Sequence, residues 1–141
     1  TYRCAQNKNR ITISDNILYS KKTKEHNTVA SLENKLKVIK EIIDERIFLN
    51  SEKIILIHST LIVSFKEIAE DYYKDYLEEI LDNNINIPSS KIRYTTPIKY
   101  RGLENKSVYL ITDELNEKSK VQNYVAVTRA MEAIKIILWK M

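Results

Sequence analysis

Glycine occurs once in the 141 residues, at Gly102. A phosphate-cradling G-x-x-x-x-G-K-[ST] loop and a G-x-G-x-x-G dinucleotide turn each need at least two glycines for their backbone geometry, so neither is present. Cysteine also occurs once, at Cys4, which excludes an internal disulfide and a cysteine-cluster metal site and suits a reducing compartment. His26 and His58 have no second histidine, cysteine or acidic partner at ligand spacing, so no metal site is expected. The longest apolar run lies within 54–63 and is interrupted by His58, Ser59 and Thr60. That is far short of the roughly 20 residues that span a bilayer, so no membrane segment and a cytoplasmic location are expected. The start, TYRCAQ, has neither an initiator methionine nor the basic, apolar and small-residue series of a signal peptide. The chain is accordingly read as one compact domain over 1–141, cut from a longer protein.

The composition supports that single domain: 43% of the residues are apolar, enough for one sizeable core. Lysine and arginine number 23 against 19 acidic residues, a formal charge of +4. The excess fits a polyanionic partner and an ordinary solvated surface equally well.

Apolar residues at Val29, Leu32, Leu36, Ile39, Ile43 and Ile47 fall on one helical face and predict an amphipathic helix. Lys53 to Thr60, KIILIHST, is apolar without alternation, as expected of a strand covered on both faces. Ser64 and Glu67 have capping-box spacing, and Phe65, Ile68, Ala69, Tyr72, Tyr73, Tyr76, Leu77, Ile80 and Leu81 keep helical register after them. A helix from Ser64 to Leu81 follows, with its three tyrosines in the core. The acidic residues Glu67, Glu70, Asp71, Glu78 and Glu79 fall mostly off that apolar face and read as solvated. Strands are expected at Ile92–Thr96, Ser107–Thr112 and Ile134–Trp139, and a helix at Val121–Ala133. This alternation predicts an α/β fold with a mainly parallel sheet flanked by helices.

Two segments carry chemistry. YTTPIKYRGLE, from Tyr94 to Glu104, is a strand end running into a loop with the only glycine and a closing carboxylate. Loops at the carboxyl ends of parallel strands hold ligands in open α/β sheets, although a plain turn reads the same way. In NYVAVTRA, from Asn123 to Ala130, a lone arginine follows apolar and small residues. Such an arginine either snorkels to solvent or meets a fixed anion, and a phosphate satisfies it through forked hydrogen bonds.

In order and separation, RGLENKSVYLI and NYVAVTRAMEAIKIIL closely resemble motifs V and VI of UvrD/Rep-like superfamily 1 helicases. There motif V reads as a threonine, a short basic stretch and KGLE before an apolar strand, and motif VI as YVALTRA. Tyr2-Arg3 is similar to the N-Y-R of motif IV, which opens the same domain. The resemblance is motif-specific from Thr96 to Trp139 and topological over residues 5–90. It departs from the pattern at Arg101, where lysine is usual, and in lacking a histidine near the start of motif V.

The resemblance implies the second, C-terminal RecA-like domain of an ATP-dependent helicase, a three-layer fold that completes an ATP site with an N-terminal RecA-like domain. That partner would hold the Walker loop, the Mg²⁺ ligands and the catalytic base, so this chain alone is expected not to hydrolyse ATP. By the family pattern Arg129 is an arginine finger on the γ-phosphate, Arg3 a second γ-phosphate contact, and Glu104, beside Gly102, the acceptor for a ribose hydroxyl. Thr96, Lys99, Ser59 and Thr60 are candidate contacts to the phosphates of single-stranded DNA. Two alternatives stand beside the motor reading. One is a non-catalytic RecA-like scaffold or regulatory module, the other an ATPase half that controls a fused nuclease or acts on RNA.

Overall fold

The computed structural model describes residues 28–113 and 120–140. Strand β1 (Thr28–Val29) leads into helix α1 (Leu32–Asp44). Ser31 caps this helix, its hydroxyl accepting from Asn34 N at 3.2 Å, and Glu33 complements the positive end of the helix dipole. At the other end no basic residue of the helix itself is available, and Lys53 replaces it. The Lys53 ammonium, 1% exposed, donates to the carbonyls of Ile42 at 2.7 Å and Glu45 at 2.6 Å. Burial holds this lysine below its usual pKa, with Glu45 and Asp44 opposing the shift.

Lys53 also begins β2 (Lys53–Ile57), which is buried along its whole length. Helix α2 (Ile62–Tyr72) starts before Ser64, so the expected capping box does not form and the helix has no side-chain cap. It also stops well before Leu81: Tyr76 N and Leu77 N both turn back to Tyr73 O, and β3 (Leu77–Glu79) pairs with β4 (Ile92–Thr95). Apolar residues three and four apart suit a helix, but strand pairing claims Leu77 here and a short turn supplies the spacing. The tyrosine expectation fails with it: Tyr72 and Tyr76 are exposed, and only Tyr73 is half-buried, its hydroxyl donating to Leu36 O.

Strand β5 (Asn105–Thr112) and helix α3 (Lys120–Thr128) precede β6 (Ala130–Trp139). The helix expected to reach Ala133 ends at Thr128, because from Ala130 the chain enters the parallel ladder with β5. Asn105 opposes Ala130 and Ser107 opposes Ala133, so β6 accommodates an extra residue at its start.

The six strands run parallel in the order β1-β6-β5-β2-β4-β3. One face buries Ile55, Ile57, Tyr94, Ile111 and Trp139 with Ile39, Ile42, Phe65 and Ile68 of α1 and α2. The other buries Ile54, Leu56, Val108, Leu110 and Ile136 with Ala126 and Val127 of α3 and with Tyr100 and Leu103. Helices on one face, and a helix plus a connecting segment on the other, make the expected three-layer α/β architecture.

Candidate functional site

Parallel strands have two distinct edges, and the residues singled out from sequence divide between them. Segment 96–104 begins at the carboxyl end of β4 and crosses to the opposite edge, where β5 starts. Three backbone bonds build this crossover: Tyr100 N to Thr96 O, Arg101 N to Ile98 O and Leu103 N to Tyr100 O. Gly102 reverses the chain with φ +86°, a left-handed conformation that explains the single glycine, since an added Cβ would meet nothing within 4 Å. Gly102 and Glu104 therefore lie at the amino edge of the sheet. The carboxyl-edge ligand loop read from sequence is corrected: only its first residues, around Thr96, are there.

Arg129 arrives at the same amino edge from the end of α3, and its carbonyl accepts from Asn105 N at 3.0 Å, locking the starts of β5 and β6 together. Its side chain is 6% exposed. One terminal nitrogen donates to Thr128 Oγ1 at 3.2 Å, the other reaches Leu103 O at 3.5 Å, and Nε has no hydrogen-bond partner among the described residues. Thr128 is held in turn, its hydroxyl donating to Val125 O at 2.7 Å. An enclosed guanidinium with two neutral contacts is under-satisfied, and an anion would supply the missing acceptors.

Beside it lies a cavity of about 260 Å³ whose walls include Glu104, Leu103, Tyr100, Arg93 and Asn105. Tyr100 is buried, and its hydroxyl donates to Glu104 O at 3.2 Å, bracing the end of the crossover. Burial pushes the Tyr100 phenol above its usual pKa, while Arg93 and Arg129 nearby pull the other way. Arg93 is not available to a ligand: its Nε pairs with Glu78 at 3.4 Å and its terminal nitrogens donate to the carbonyls of Ile85 and Asn84.

The carboxyl edge gathers the other four residues. Leu56 and Thr95 are in register, so Thr96 continues beside the end of β2, from which His58, Ser59 and Thr60 emerge. Ser59 and Thr60 are exposed. Ser59 N donates to Gln122 Oε1 at 3.0 Å, and Gln122 Nε2 donates to Ser59 Oγ at 2.8 Å. Thr60 N donates to His58 Nδ1 at 3.2 Å, with the Thr60 hydroxyl 2.8 Å from the same nitrogen. A backbone N–H can only donate, so Nδ1 is the acceptor in this contact. Thr96 Oγ1 accepts from Lys99 N at 3.4 Å, and the Lys99 ammonium lies 3.5 Å from Asp82 on the surface.

Arg3 lies outside the described residues. Among the described residues no group of three or more His, Cys, Asp or Glu is placed to hold a metal, and no helix is long and apolar enough to cross a membrane. The sequence reading missed Gln122, Thr128 and Tyr100 as parts of these edges. A polar residue in the first turn of α3, opposite a serine at a strand end, was the one available signal for Gln122.

Residues 2–138 match the sequence profile of the viral superfamily 1 RNA helicase core domain family. Among solved structures the chain is similar to the C-terminal domain of a possible DNA helicase from Lactobacillus plantarum WCFS1. That similarity has a TM-score of 0.62 at 13% identity over 80% of this chain and 73% of the other, a likeness of fold. No curated protein matches the sequence at the same level.

Proposed function

Because this chain belongs to the family of viral superfamily 1 RNA helicase core domains, we propose that it is the second RecA-like half of an ATP-driven, cytoplasmic nucleic-acid motor. In this reading the amino edge closes over ATP bound to the first RecA-like domain. Arg129 meets the γ-phosphate, Glu104 accepts from a ribose hydroxyl, and Arg3 is a second phosphate contact. The observation that carries the reading is Arg129 itself, enclosed beside Thr128 and Leu103 without a carboxylate partner among the described residues.

Phosphoryl transfer spreads negative charge over the γ-phosphate oxygens, and a fixed guanidinium stabilises that charge most where water is excluded. Thr128 and the Leu103 carbonyl keep the side chain oriented before nucleotide arrives, so little ordering is required at closure. The donors at this edge suit the phosphate and ribose of a nucleotide and do not suit Mg²⁺, whose ligands we assign to the first domain and the phosphates. When bound there, Mg²⁺ would supply neutralisation of the phosphate charge.

At the carboxyl edge, Ser59, Thr60, Thr96 and Lys99 hold the phosphates of a single strand without reading its sequence. The motif resemblance favours DNA. The family description favours RNA as a second reading. Domain closure and reopening with each ATP would then advance the strand.

The test is ATP hydrolysis by the full-length protein, alone and with single-stranded DNA or RNA, for wild type and Arg129→Ala. We expect strand-stimulated hydrolysis that falls at least about a hundredfold in the variant, since an arginine finger contributes roughly 10³ to 10⁵ in rate. No hydrolysis by wild type, or hydrolysis indifferent to Arg129, would leave a scaffold module as the better account. The more stimulating strand identifies the substrate.

A further inference from the structure

Helix α3 runs from the carboxyl edge back to the amino edge, and its first turn is linked to the loop after β2. The Gln122 amide uses both of its ends on Ser59, a residue 63 positions away: Oε1 accepts the backbone N–H and Nε2 donates to Oγ. A primary amide accepts through its oxygen and donates through its nitrogen at once, which matches the backbone N–H and hydroxyl oxygen of one serine. Because Ser59 Oγ is the acceptor in this pair, its own proton points away from Gln122 and is free to donate to a phosphate oxygen. The clasp thus ties the Ser59 hydroxyl to the helix.

Seven residues further on, α3 delivers Arg129. Between the two, Asn123, Ala126 and Val127 are buried, and close packing of Ala126 and Val127 on the sheet favours a rigid helix over a bent one. Its nine residues span about 13 Å. At the far end Thr128 connects the helix to the guanidinium through its hydroxyl.

We propose that Gln122 is a positioning residue through which a strand bound at Ser59 sets Arg129, so that nucleic-acid occupancy controls ATP hydrolysis by way of α3. The proposal rests on the assignment of Ser59 to strand contact and of Arg129 to the γ-phosphate. A phosphate drawn to the Ser59 hydroxyl biases the loop after β2, the amide passes that bias to the helix, and the helix sets the depth of Arg129 in the nucleotide site. The clasp is on the surface and is not needed to complete the core, so its loss leaves the fold and both sites in place.

The experiment compares full-length wild type, Gln122→Leu, Gln122→Glu and Ser59→Ala. Its readouts are hydrolysis without strand, strand affinity by fluorescence anisotropy with a labelled oligonucleotide, and hydrolysis at saturating strand. Gln122→Leu is expected to keep unstimulated hydrolysis and strand affinity within about twofold while maximal stimulation falls about tenfold, as two linking hydrogen bonds are lost. Gln122→Glu keeps the acceptor for Ser59 N–H and is expected to retain part of the stimulation. Full stimulation in Gln122→Leu overturns the proposal, as does a loss that appears only as weaker strand binding, the mark of mere structural support. Unchanged strand affinity and stimulation in Ser59→Ala would remove the assignment of Ser59 beneath it, and wild type that ignores every strand would remove the motor reading itself.

Discussion

At the amino edge Arg129 is 6% exposed, Tyr100 braces Glu104 from beneath, and Gly102 fixes the turn between them, so the groups are set before anything binds. At the carboxyl edge Ser59, Thr60 and Lys99 stand in solvent, held by side-chain hydrogen bonds and one surface ion pair. The contrast fits the two roles proposed for the edges. A phosphate about to change its charge must be met by charge already in place, whereas a strand that slides by must be gripped by several weak contacts that release.

The sharpest way to break this contrast is Arg129→Lys. A lysine keeps the charge but loses the planar fork and the contact to Thr128, so kcat is expected to fall by about two orders of magnitude or more while strand affinity stays within about twofold. Equal losses in both would mean that the two edges are not separate sites. Next in size is Glu104→Gln, expected to weaken ATP binding about tenfold through loss of a hydrogen bond to a charged acceptor. A dideoxy analogue of ATP lacks the ribose hydroxyls and should show little of that difference. If both nucleotides lose affinity equally, Glu104 does not read the sugar.

Gly102→Ala tests how far the amino edge depends on its backbone. With φ at +86°, any side chain strains the turn even though there is space for it, and a loss of about 1–2 kcal/mol is expected in denaturant unfolding. An unchanged midpoint would show that the turn rearranges freely. The smallest effect belongs to Lys99→Ala. Its salt bridge to Asp82 is exposed, so stability should barely move, whereas the slope of log affinity against log salt should drop by about 0.7. A slope identical to wild type would take Lys99 out of the strand contact.

The central strands were legible in the sequence because β2, β5 and the second half of β6 are apolar on both faces, and only a buried parallel sheet sustains such runs. Arg129 was legible as an isolated cation in an otherwise apolar and small stretch. The limits of α2 and α3 were not, because Leu77 and Ala130 satisfy helical spacing locally and are claimed by strand partners far away in the chain. Nor was the edge to which Glu104 belongs. That depends on 96–104 crossing the sheet without a helix, which no periodicity announces. Lys53 looked like the polar start of a strand, and its role in closing α1 depends on a neighbour that folds against it.

The described sheet is narrow at its sides: β1 has two residues and β3 has three. On the β3 side little unpaired ladder is left for a second copy, whereas on the other side β1 pairs only with Leu138 and Trp139 of the ten-residue β6. The ends of the strands, where Arg129 and Ser59 stand, are surfaces apart from these two flanks.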